Sequence, residues 1–221
     1  MKKILGLGVL LFSILGVFAQ NNIRIGLQVS PLIGYATLTD ENNNDLTDQN
    51  PSTRLGFAYG LVGEFGFTDN YGIHTGVNIV TRGYSYQPGS AAEKLKWRAT
   101  TVQVPVAAVL RSAPINDNIY IKGLFGVSLD FQVGHAVEYL ELTNANPPTF
   151  NTVSSKNTDR INPLGLTFMV GPGVDVDLTT GTLGFAVVYN QGLTNLNNSK
   201  NGFLDTRIKS NFIALNVAYF F

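Results

Sequence analysis

From Asn22 to the C-terminus, apolar and polar residues alternate along this chain with a period of two. The stretch NIYIKGLFGVSLDFQVG shows it most plainly. Ile119, Ile121, Phe125, Val127, Leu129, Phe131 and Val133 fall on one side, and Tyr120, Lys122, Ser128, Asp130 and Gln132 on the other. A period of two is the signature of a β-strand whose faces meet different surroundings. It recurs often enough to predict eight strands, near 22–36, 54–67, 71–85, 98–110, 118–134, 163–178, 182–193 and 207–221. Between the first and last large apolar residue of each of the eight faces there is no Asp, Glu, Lys or Arg. The opposite faces hold Arg24, Arg54, Glu64, Arg82, Lys122, Asp130, Asp175 and Asp177.

Alternation alone does not say which face points inward, since a soluble β-sandwich has the same pattern with its apolar side inside. The connections decide. Long segments such as TLTDENNNDLTDQNPSTR alternate with short ones such as TDN and TTG, so every long loop emerges at one end of an up-and-down meander. Outer-membrane barrels have this asymmetry, with short periplasmic turns and long outer loops. The expected fold is therefore all-β, an eight-stranded antiparallel up-and-down transmembrane β-barrel with its apolar faces toward lipid. Glycines on the polar faces, among them Gly26, Gly60, Gly126 and Gly171, suit so narrow a lumen. Tyr35, Tyr84, Tyr86 and Trp97 lie near the long-loop ends and predict an outer aromatic belt; Phe65, Phe67, Tyr71, Tyr219 and Phe221 predict a periplasmic one. The aromatic terminus NVAYFF then belongs to a last strand closing on the first, and resembles the sorting signal read by the outer-membrane assembly machinery. Pro105 and Pro172 fall inside predicted strands and call for bulges or interrupted hydrogen-bond rows.

The start of the chain adds export. Lys2 and Lys3 precede an apolar run from Ile4 to Phe18 and the small residue Ala19, the pattern of a signal peptide over residues 1–19 with the barrel domain at 20–221. The whole chain balances 15 basic against 15 acidic residues, and loss of the two lysines leaves the mature chain slightly acidic. A nucleic-acid partner would need a basic face, so none is expected. The absence of cysteine excludes disulfide staples and thiolate chemistry.

Four stretches, TTVQVPVAAVL, IKGLFGVSLDF, FMVGPGVDVDL and VVYNQGLTNL, together resemble the PorT-like outer-membrane β-barrel family of the Bacteroidota, over essentially the mature chain. The resemblance implies residence in the outer membrane of a Gram-negative bacterium, in contact with its lipid. One member of that family is implicated in protein secretion, and the family has no shared catalytic motif.

The inward charges Arg24, Glu64, Arg82, Lys122, Asp130 and Asp175 are expected to form a lumen network of ion pairs rather than a conduction path, because an eight-stranded interior is filled by side chains. The chemistry available to an enzyme is thin. His74 and His135 are the only histidines, and no G-x-S-x-G stretch is present, so no catalytic residue is assigned. Asp40, Asn42, Asn44 and Asp45 look like a calcium loop, but Asp45 stands where that loop needs glycine, so neither a metal nor a cofactor is expected. The reading is a non-enzymatic barrel whose long outer loops, above all His135 to Arg160, bind a partner or support an envelope or secretion complex. The rivals are a soluble lipocalin-like ligand-binding barrel and an outer-membrane lipid-modifying hydrolase using His74 or His135.

Overall fold

The computed structural model describes residues 23–39, 52–86, 95–142, 150–155, 162–196 and 207–221. These hold nine strands: β1 (Ile23–Thr39), β2 (Ser52–Gly66), β3 (Tyr71–Tyr86), β4 (Leu95–Arg111), β5 (Ile119–Leu142), β6 (Phe150–Ser155), β7 (Leu164–Leu178), β8 (Gly181–Gly192) and β9 (Arg207–Phe220). Every pairing is antiparallel. β1 pairs with both β2 and β9, and β4 with both β3 and β5, so eight strands close into a barrel and β6 stands outside it, paired to β5. The expected signal peptide over 1–19, the calcium-like stretch at 40–45 and most of the long-loop residues lie outside the described residues.

The stagger of the wall follows from its register. Arg24 pairs with Glu64, and the row runs on through His74, Ala107, Gly126, Met169 and Asn190 to Phe212. Phe212 pairs with Gly34, so the circuit returns to β1 ten residues above its start at Arg24. A ten-residue stagger at about 3.3 Å per residue, over eight strands about 4.8 Å apart, gives a tilt of roughly 40°. At that tilt the outward run on β2 from Leu55 to Phe65 rises roughly 25 Å, the height of the apolar band of a membrane barrel.

The faces are sorted as the membrane reading requires. Ile25 is 59 % exposed, Leu61 58 % and Phe125 58 %, while Glu64 is 2 % exposed and Asp130 1 %. A soluble lipocalin-like barrel needs the reverse, so that rival is set aside. The small lumen residues are forced by crowding: a Cβ on Gly26 would run into the carbonyl oxygen of Tyr219, and one on Gly171 into that of Val187.

The prolines interrupt the ladders without displacing them. Pairing of β3 with β4 lapses between Thr75–Val106 and Asn78–Gln103, and pairing of β7 with β8 lapses between Val170–Tyr189 and Gly173–Ala186, with no register shift at either place. Pro105 and Pro172 each lack a donor on that one side and stay paired to β5 on the other, at Ser128 and Gly123. Thr75 Oγ1 donates to the Pro105 carbonyl at 2.8 Å and satisfies part of the open row.

The segment expected to be the longest loop is largely strand. β5 continues to Leu142 and pairs antiparallel with β6, with Val137 opposite Ser155 and Leu142 opposite Phe150. The period-two reading stopped short because of a bulge: Thr100 pairs with Gly134 but Thr101 with Gln132, so Val133 is an extra residue and the alternation changes sides there.

Candidate functional site

The lumen holds charge in two places. The larger cluster lies at the short-turn end, where β1, β2, β3, β4, β5 and β7 each contribute an inward side chain. Arg24 is paired with Glu64 and lies 2.9 Å from Asp175 Oδ2. Lys122 Nζ is 2.6 Å from Asp175 Oδ1 and 3.5 Å from Glu64 Oε1, and His74 Nδ1 is 3.3 Å from Glu64 Oε1. Arg111 closes the set, with Nη2 2.9 Å from Asp177 Oδ1 and Nε 3.5 Å from Asp175 Oδ2. The cations Arg24, Lys122 and Arg111 balance the anions Glu64, Asp175 and Asp177. Phe220 lies within 5.0 Å of the Arg24 guanidinium and 5.5 Å of Lys122, and Tyr120 stacks on Arg111 at 3.7 Å. Below this cluster a polar vestibule of about 620 Å³ opens at the short-turn end, lined by Arg24, Arg111, Tyr120, Asp177 and Thr182 among others.

The second cluster is nearer the long loops. Arg82 Nη2 donates to Asp130 Oδ2 at 3.1 Å, and Asp130 also accepts from Thr167, Gln103 and Ser128. Phe212 lies 5.1 Å from the Arg82 guanidinium. Between the clusters the described lining holds no Asp, Glu, Lys or Arg, and His74 of the lower cluster borders it. A chamber of about 20 Å³ is lined by Gln28, Asn78, Gln103 and Asn190 with apolar neighbours, room for about one water molecule. Above Arg82 the mouth is spanned by Leu196, which is buried with Ala36 of β1 and Ala99 of β4, and whose N–H donates to Ile208.

All six charges singled out in the sequence fall in these two clusters, divided as Arg24, Glu64, Lys122 and Asp175 below and Arg82 and Asp130 above. The sequence reading missed Arg111, which falls one residue beyond the predicted strand 98–110. Arg111 ends β4 in phase with the inward residues Ala107 and Val109, so one more step of the alternation would have found it. The hydroxyl and amide partners of Asp130 come from three other strand positions, and nothing local in the sequence marks them.

At the short-turn end Phe67, Tyr71 and Phe221 are exposed and Phe65 and Tyr219 half-buried. Tyr219 packs edge-on against Phe221 with ring centres 5.3 Å apart and donates to the Thr180 carbonyl at 3.0 Å. At the other end Tyr35 is half-buried on the outward face, its hydroxyl 3.3 Å from that of Tyr189. The side chains of Tyr84, Tyr86 and Trp97, expected in the outer belt, lie outside the described residues. Along the backbone, Tyr84 pairs with Trp97 and Tyr86 with Leu95 in the β3–β4 ladder. His135 is a strand position paired with Ala99 rather than the start of a loop.

A closed barrel with an apolar girdle, short turns at one end and a filled lumen defines a β-barrel membrane protein. The chain belongs to the outer membrane protein beta-barrel domain family, whose sequence profile matches residues 18–198, and its place is accordingly the outer membrane. Among solved structures it is similar to OprG of Pseudomonas aeruginosa, at 10 % identity over 90 % of this chain and 94 % of that one, with a TM-score of 0.49. It is also similar to Ail of Yersinia pestis crystallised with the heparin analogue sucrose octasulfate, at 14 % identity, 90 % and 99 % coverage and a TM-score of 0.41. A third likeness is to the outer membrane protease OmpT of Escherichia coli, at 11 % identity, 91 % and 97 % coverage and a TM-score of 0.41. None of these says what this chain does. No curated protein matches the sequence.

Proposed function

We propose that this chain is a plugged, non-enzymatic barrel of the PorT-like kind, exported by cleavage after Ala19, that holds an envelope partner at its outer rim. The observation that carries this reading is the filled lumen: Glu64, Lys122 and Asp175 are 2 %, 4 % and 0 % exposed, which leaves solute little room to pass. With the interior occupied, the surface left for recognition is the outer end, where β5 and β6 extend past the barrel as a paired arm. Against the hydrolase reading, His74 is buried against a carboxylate inside the plug, away from any lipid surface.

The test is affinity purification from detergent-solubilised outer membranes, comparing the full chain with a variant in which residues 140–152 of the arm are replaced by a short turn. A stoichiometric envelope protein should accompany the full chain and be lost with the arm. Recovery of the barrel alone in both cases overturns the partner reading. Reconstitution into planar bilayers should give no stable conductance steps, and discrete steps would overturn the plug.

A further inference from the structure

We infer that the outward face of β9 and β1, just above the apolar band, is a binding site for the phosphate-bearing headgroup of an outer-leaflet lipid. Along the outward face of β9 the exposed apolar residues Leu215 and Ile213 give way to Asn211, and then to Lys209 and Arg207, both exposed. Thr37 stands directly opposite Lys209 and Thr39 opposite Arg207 in the β1–β9 ladder, so two cations and two hydroxyls share one patch. Lys209 and Arg207 are two residues apart on one face, about 7 Å, close enough to act on one phosphate. Below them Ile33, Ile213 and Leu215 offer an apolar wall for acyl chains.

The charge distribution over the exterior gives the patch its direction. Among the described residues, the exposed cations are Arg98, Arg207 and Lys209, all near the long-loop end, while the exposed anions Asp69 and Asp117 sit in the short turns. Outward-facing cations at the edge of hydrocarbon attract anionic headgroups. Arg98 on β4 stands across the barrel from β9, and its ladder partners Gly83 and Ala136 offer no hydroxyl, so the site is assigned to β9 and β1. The assignment rests on the outer-membrane placement and is independent of any protein partner.

The test is native mass spectrometry of the full-length protein released from detergent and titrated with lipid A, with its phosphates present or removed. The wild type should bind phosphorylated lipid A at least tenfold tighter than the dephosphorylated form. Replacing both Arg207→Ala and Lys209→Ala should weaken binding roughly thirtyfold, from the usual contribution of two basic residues at a membrane surface. Arg207→Lys with Lys209→Arg should retain it, and Arg98→Ala should leave it unchanged. Inorganic phosphate at millimolar concentration should not displace the lipid, and displacement would point to a free-anion site instead. Equal binding by the alanine variant, equal binding of the dephosphorylated lipid, or an equal loss with Arg98→Ala overturns the proposal. Both β9 variants should keep the heat-resistant gel mobility of a folded barrel, and the charge-conserving pair tests the site even if the alanine pair does not.

Discussion

Replacing Asp175 with Asn changes the plug in a way whose size can be worked out. The side chain keeps its shape and loses one charge, at a position where it is 0 % exposed and faces Lys122 at 2.6 Å, Arg24 at 2.9 Å and Arg111 at 3.5 Å. Three cations would then share two carboxylates, Glu64 and Asp177. Were the cluster bathed in water, the loss would be below about 1 kcal/mol, as for exposed ion pairs. Lys122 is only 4 % exposed, so the excess charge is held where water reaches poorly, and breaking such a pair costs about 3–5 kcal/mol. Arg24 and Arg111 are about a fifth exposed and open to the vestibule, which places the expected cost near the lower bound, about 3 kcal/mol. Equilibrium unfolding in urea, with the barrel refolded into lipid vesicles, measures it. A second substitution, Lys122→Met, restores the balance of charge, and the double variant should be more stable than Asp175→Asn alone. A single-variant cost below about 1 kcal/mol, or a double variant whose cost is the simple sum of the two, would refute the view that this cluster is sealed from solvent.

Three other outcomes follow from the same wall. Leu61→Arg, near the middle of the apolar band, should cost about 2–4 kcal/mol, and Leu55→Arg, at its outer margin, about 0–1 kcal/mol; equal costs in vesicle unfolding would contradict the assigned depth. Thr75→Val removes the hydroxyl that donates to the Pro105 carbonyl and should cost about 1 kcal/mol in the same assay, with no effect if that carbonyl finds another donor. Gly171→Ala puts a methyl against the Val187 carbonyl and should destabilise by about 1–3 kcal/mol, whereas Gly123→Ala, with open space around its position, should be nearly neutral.

The barrel was legible in the sequence because a strand with lipid on one side and a packed lumen on the other must alternate strictly, and a charge on the wrong face is costly. Ile25, Leu27 and Val29 against Gly26, Gln28 and Ser30 carry that information locally. Legibility ended where alternation changes phase. The extra residue Val133 moved the inward face of β5 from even to odd positions, so the arm beyond it looked like a loop. The pairing of Arg111 with Asp177, or of Thr167 with Asp130, depends on a ten-residue stagger accumulated around the whole circuit, which no single segment encodes.

The vertical order of the lumen supports the plugged reading more strongly than its charge count does. Charges sit toward the two ends, the lower cluster beside the vestibule and the Arg82–Asp130 pair below the outer mouth, each cation matched by a carboxylate. At mid-height the lining changes to Gln28, Ser30, Asn78, Gln103 and Asn190, with a chamber of about 20 Å³. An ion crossing there would shed most of its hydration in a chamber lined by amides and His74, with no carboxylate, lysine or arginine in its wall, a transfer that costs several kcal/mol even after relaxation. Opening one ion-pair cluster therefore does not make a pore, because the neutral constriction remains. Conductance should require enlarging the middle, as Asn78→Ala with Gln103→Ala would begin to do. A barrel that conducts when Lys122 alone is removed would show that the ion pairs, and not this constriction, hold the lumen shut.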